Sequence, residues 1–81
     1  MKPFVLTIEY CTSWGFLSKA VSLTEEILSE YKNVAKELTV IPSTGGVYKI
    51  TLNGETIFSK KELNRFPESG EILGILQQKL Q

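Results

Sequence analysis

Asn53-Gly54 separates two alternating runs, residues 47–52 and 55–59. A two-residue type I′ hairpin turn needs positive φ at both central positions, which Asn and Gly adopt at least cost. Such a turn sets the strand register on both sides. Leu52 is predicted to face Glu55, Ile50 to face Ile57, and Lys49 to face Phe58. Tyr48, Ile50, Leu52 and Ile57 then share the core face, while Val47, Lys49, Thr51, Thr56 and Phe58 share the other.

An isolated hairpin is marginal in water, so the rest of the chain must cover it. Residues 4–10 alternate Phe4, Leu6, Ile8 and Tyr10 against Val5, Thr7 and Glu9, the pattern of a central strand. From Phe16 to Tyr31 the apolar residues Phe16, Leu17, Ala20, Val21, Leu23, Ile27, Leu28 and Tyr31 recur at helical spacing. They predict one buried stripe. Thr12 or Ser13 is the expected N-cap, and Asn33 the expected left-handed residue at the other end. Residues 34–41 read as a second strand, broken by the turn Pro42-Ser43-Thr44-Gly45-Gly46. Lys60, Lys61 and Arg65 lie in a polar connector, read as a solvated segment. Phe66-Pro67-Glu68 leads into a last helix with Ile72, Leu73, Leu76 and Leu80 on one stripe.

The element order is β-α-β-β-β-α, an α/β fold with a four-stranded mixed sheet. The first crossover joins neighbouring parallel strands and is expected to be right-handed. Two short helices cannot cover both sheet faces, so both are placed on one face. The 81 residues are expected to form one domain, 1–81, with a small core.

Composition narrows the chemistry. Nine basic and nine acidic residues cancel, which argues against nucleic acid and anionic membranes as partners. There is no histidine and only one cysteine, so metal sites and histidine-assisted nucleophiles are not expected. The short apolar run after Met1-Lys2-Pro3 resembles neither a signal peptide nor a span, which makes the cytoplasm the expected location.

The lone cysteine occupies Cys11-Thr12-Ser13-Trp14, between the first strand and the first helix. Unpaired N–H groups and the helix dipole favour a thiolate at such a point. Neighbouring cations do not contribute within the motif, so the helix N-terminus is expected to supply most of the stabilisation. Trp14 is expected to be buried over the first helix turn.

The order of strand, Cys-x-x-x and helix, then a Gly-Gly turn and an antiparallel hairpin, resembles a reduced thioredoxin-like fold. The sequence is more similar still to the selenoprotein W-like family, also called the Rdx or SelT/SelW/SelH group. The matching pieces are Ile8-Glu9-Tyr10-Cys11, Ser18-Lys19-Ala20, Ser43-Thr44-Gly45-Gly46-Val47-Tyr48, Leu52-Asn53-Gly54, Phe58-Ser59-Lys60-Lys61 and Arg65-Phe66-Pro67-Glu68. Together they run through most of the chain in the family's order.

The resemblance implies a redox motif, Cys-x-x-Cys or Cys-x-x-selenocysteine. Cys11 matches its first member, as the catalytic nucleophile, and Trp14 stands at the second. Two accounts of Trp14 stay open. The protein has lost its second redox residue, or tryptophan replaces a selenocysteine, whose UGA codon differs from the tryptophan codon by one base. Either way a monothiol remains, able to form mixed disulfides with glutathione or client proteins as a glutathione-dependent oxidoreductase. The alternative is an interaction module that keeps the fold without redox activity. Thr44, Gly45 and Gly46 are the expected substrate-binding segment, where glycines let a peptide or glutathione backbone approach. No tightly bound cofactor is expected. The resemblance also suggests a 14-3-3-type partner at Lys60, Lys61 and Arg65, and the open sheet face around Phe58 suggests weak homodimerisation.

Overall fold

The computed structural model describes residues 2–81. Strand β1 (Phe4–Cys11) leads to helix α1 (Phe16–Tyr31), a 3₁₀ turn (Lys32–Val34) and strand β2 (Ala35–Ser43). Strands β3 (Tyr48–Leu52) and β4 (Glu55–Ser59) follow, then a one-turn helix α2 (Lys60–Leu63) and helix α3 (Glu71–Lys79). The sheet order is β2-β1-β3-β4. β1 runs parallel to β2 and antiparallel to β3, which pairs antiparallel with β4. The sheet is mixed and four-stranded, as the pattern predicts.

Alternation places Phe4, Leu6 and Ile8 of β1 beside Tyr48, Ile50 and Leu52 of β3, all buried. Against them pack Ala20, Leu23 and Ile27 of α1 and Ile72 and Leu76 of α3, in one cluster. Both helices therefore lie on one face. The reverse face carries Val5, Thr7, Glu9, Lys49 and Thr51, each half-exposed.

The hairpin keeps its predicted turn, with Asn53 at φ 50 and Gly54 at φ 87. Leu52 faces Glu55 as expected, but a bulge follows: Thr51 pairs with Thr56, and Ile50 with Phe58. Ile57 is the extra residue, and the shift turns Phe58 into the core, where it is 2% exposed. The predicted pairs Ile50–Ile57 and Lys49–Phe58 are thus corrected, and Phe58 is not available for homodimerisation. β4 is an edge strand, where a bulge disturbs only one ladder, and burying the ring removes more apolar surface than burying Ile57. Asn53 does more than turn the chain. Its side-chain Oδ1 accepts the Val5 N–H at 2.9 Å, and its own N–H donates to the Val5 carbonyl at 2.8 Å.

Other boundaries also move. α1 starts after Gly15, at φ 75, and has no side-chain cap, so neither Thr12 nor Ser13 serves as N-cap. Lys32, not Asn33, takes the positive-φ position at φ 50 and ψ −123, and its N–H donates to the Leu28 carbonyl. β2 continues through Pro42, whose missing N–H is tolerated on an edge strand. Only Phe16, Ala20, Leu23 and Ile27 of the α1 stripe are buried; Leu17, Val21 and Leu28 remain 41–55% exposed. The sheet is too narrow to cover that flank.

Candidate functional site around Cys11

β1 ends at Cys11, and two backbone bonds pin the chain there. The Cys11 N–H donates to the Val47 carbonyl at 2.8 Å, and the Thr12 N–H donates to the Ser43 carbonyl at 3.1 Å. The loop from Thr12 to Gly15 is therefore held against the turn between β2 and β3. That turn contains Gly45 at φ 76 and Gly46 at φ 73, two successive left-handed residues that only glycine adopts without strain. Their path lets the Gly46 N–H act on the thiol.

The Ser13 N–H favours the Cys11 thiolate most, followed by the Gly46 N–H; the Ser13 hydroxyl adds a smaller contribution. Together they hold the thiol pKa below its ordinary value, against the opposing effect of burial. The residue is 3% exposed, yet its cover is local loop rather than deep protein. The donors sit in two loops outside α1, which begins five residues after Cys11. Nearby lysines are engaged elsewhere: Lys49 pairs with Glu9 at 3.9 Å, and Lys19 lies over the Phe66 ring.

Of the predicted substrate segment, only Gly46 reaches the thiol; Thr44 and Gly45 are exposed at the turn. Ser13, expected as a cap, instead contributes most to lowering the thiol pKa. Thr12 is exposed and anchors the loop through its backbone.

Trp14 is 85% exposed, which overturns its expected burial. It also has φ 55, a conformation that strains a residue with a bulky side chain. Leu17, Val21 and Leu28, at spacings of four and seven, are also exposed, on one flank of the α1 that follows.

Two groups beyond the motif support the site's surroundings. Phe16, Tyr48 and Phe66 form an edge-to-face trio, with Phe16 and Phe66 centroids 4.8 Å apart. Lys60 lies over both Phe16 and Phe66. Arg65 forms a two-pronged pair with Glu71, at 2.7 and 2.9 Å, and covers the Phe58 ring. The connector is therefore anchored rather than merely solvated; Lys61 has no such aromatic or acidic partner among the described residues. The sequence signal for these contacts is Phe66-Pro67 in an otherwise polar segment.

Residues 5–78 match the Rdx family. The chain belongs to the Rdx family. A selenoprotein W-related protein from Vibrio cholerae shares the fold, with a TM-score of 0.91 over 99% of this chain and all of that one, at 22% identity. A Bordetella parapertussis protein of known structure is 28% identical, with a TM-score of 0.89 over 95% of this chain and 98% of its own. Migration and invasion enhancer 1 of Mus musculus is 28% identical over 68 residues, 84% of this chain. The chain spans 57% of the length of that relative, and the same share of its Bos taurus counterpart. Rdx membership and the thioredoxin-like architecture associate the chain with redox chemistry. Among the described residues no helix is long and apolar enough to cross a membrane.

Proposed function

We propose that this Rdx protein is a monothiol redox protein, with Cys11 as its nucleophile. The observation that carries the proposal is the pinning of the Cys11 loop against the Gly45-Gly46 turn by the Cys11–Val47 and Thr12–Ser43 backbone bonds, with the Ser13 and Gly46 N–H groups lowering the thiol pKa. The thiolate attacks one sulfur of glutathione disulfide. A Cys11–glutathione disulfide forms, the original disulfide breaks, and one glutathione leaves as thiolate. A client-protein disulfide reacts in the same way. Trp14 occupies the second redox position, so no local thiol resolves the product; a second external thiol must attack it. The cytoplasm, with its reducing glutathione pool, is the compartment that suits this cycle.

The test is a pH titration of Cys11 alkylation, paired with mass spectrometry after treatment with oxidised glutathione. Half-maximal alkylation below the free-thiol value of about 8.5 and a single glutathione adduct, absent in Cys11→Ser, are expected. A thiol that titrates at or above that value overturns the proposal.

The exposed Trp14 favours a second reading, an interaction module that docks a partner through Trp14 and the exposed flank of α1. A 14-3-3-type partner belongs to this reading, with Lys61 as the free cation of the connector. Under it, Trp14→Ala weakens partner capture, while Cys11→Ser leaves capture unchanged.

A further inference from the structure

A groove of about 310 Å³ opens between α1 and the loop that enters α3, away from the turn that covers the Cys11 sulfur. It is lined on one side by Ser18, Lys19, Ser22 and Glu26, and its opposite wall runs from Phe66 to Gly70. That volume lies at the lower end of the roughly 300–1,000 Å³ typical of small-molecule sites. The opposite wall is held in place. Arg65 grips Glu71, whose Oε1 also accepts the Glu68 N–H at 2.9 Å, while Phe66 is locked into the aromatic trio. The groove is thus formed before any ligand arrives.

Tyr48 lines this groove, and it is the decisive residue. It is 1% exposed, yet its hydroxyl makes no hydrogen bond within the described protein. Among the described residues, no side-chain oxygen or nitrogen is both sealed from solvent and unpartnered. The hydroxyl therefore opens into the groove rather than into dry core. Phenylalanine would fill this strand position without having to desolvate a hydroxyl. Burial, with the Glu26 charge second, pushes the Tyr48 pKa up to about 12, so the phenol stays neutral.

The groove's charges on α1 are separated along the helix; Glu68 adds an acid on the opposite wall, and Lys19 reaches over the Phe66 ring. Glu26 lies close enough to Tyr48 to act on it electrostatically, which makes an acceptor-rich pole. Lys19 stands seven residues earlier, two turns or about 10 Å along the helix axis, with Ser22 between them. An extended peptide advances about 3.3–3.6 Å per residue, so three residues span that interval.

We propose that the groove binds a short zwitterionic peptide of about three residues. Its ammonium group meets Glu26 and the Tyr48 hydroxyl oxygen, and its carboxylate meets Lys19. The inference does not depend on Cys11 chemistry.

The probe is triglycine, which has no sulfur, titrated through the millimolar range into ¹⁵N-labelled protein. Saturable shifts are expected at Ser22, Glu26, Tyr48 and Gly70, and not at Ser13 or Gly46. N-acetyltriglycine and triglycinamide each remove one charge and should bind at least about five-fold more weakly. Tyr48→Phe should also weaken triglycine binding about five-fold while preserving the spectrum of the fold. Glu26→Gln, on the exposed helix surface, provides a second variant with the same expected loss. Absence of saturable shifts, equal binding of the capped peptides, or undiminished binding by both variants overturns the proposal. None of these outcomes alters the Cys11 alkylation result, so the two proposals fail separately.

Discussion

The Asn53-Gly54 turn and the Trp14-Gly15 turn each reverse the chain through two successive left-handed residues, with φ 50 and 87 in the first and 55 and 75 in the second. Their residue types differ. Asparagine tolerates that conformation and here adds a side-chain bond to Val5. Tryptophan bears the strain with its ring in solvent, and the helix that follows has no side-chain cap. The hairpin turn agrees with its own sequence at every level, whereas the thiol loop does not. Local conflict of this kind concentrates where a loop serves something other than stability.

Four changes break or sharpen that contrast. The largest effect belongs to the hairpin side. Phe58→Lys places a charge in the cluster with Ile50 and beneath Arg65, and should cost at least about 4 kcal/mol, enough to unfold a domain of this size. Circular dichroism at 25 °C checks it; a cooperative melt near that of the parent would mean that the bulge readily reverts to the unbulged register.

Asn53→Gly comes next. It keeps the turn conformation and the backbone bond to the Val5 carbonyl but deletes the side-chain bond to the Val5 N–H, so a loss of about 1–2 kcal/mol is expected in urea unfolding. If stability is unchanged, the Asn53–Val5 link contributes nothing and the hairpin turn's advantage is conformational only.

The same substitution on the other side should act in reverse. Trp14→Gly relieves the left-handed strain while removing a ring that buries little, so stability should hold or rise by up to about 1 kcal/mol. Cys11 alkylation should keep its pH profile, since Ser13 and Gly46 supply the thiolate's donors. A clear loss of stability would show that the indole supports the loop after all.

The smallest effect concerns the Arg65–Glu71 clamp. Its hydrogen bonds to Arg65, and then to the Glu68 N–H, hold the Glu71 pKa down to about 2. A carboxylate depressed by folding contributes stability above its unfolded pKa of about 4.3 and loses it as pH falls towards the folded value. Glu71→Gln should therefore flatten the decline in melting temperature between about pH 4 and pH 2, by a few degrees at most. Identical acid slopes in the two proteins would remove the clamp from the account of loop rigidity.

Much of the fold could be read from the chain because the responsible interactions are local. Alternation over residues 4–10, the helical period from Phe16 to Tyr31 and the Asn53-Gly54 turn each place an element through steric rules between near neighbours. The family motifs add Cys11 and the Gly45-Gly46 turn. What could not be read depends on contacts between distant segments. Residues 56–58 carry two adjacent large apolar side chains, and either Ile57 or Phe58 can face inward. Ile50 on one side and Arg65 on the other select Phe58. The stripe on α1 is wider than the sheet beneath it, so Leu17, Val21 and Leu28 stay in solvent.

The candidate site divides along the same line. Sequence alone determined that one thiol stands at the end of a central strand, without histidine, a second cysteine or a nearby cation in the chain around it. Only the tertiary structure decided what touches that thiol. Ser13 comes from its own loop, but Gly46 comes from a turn 35 positions away, brought in by the Cys11–Val47 and Thr12–Ser43 bonds. Backbone N–H groups are present at nearly every residue, and their direction depends on φ and ψ, not on side-chain identity. A thiolate held by such donors leaves almost no mark in composition or spacing. It becomes visible once two distant stretches of chain are brought to the same sulfur.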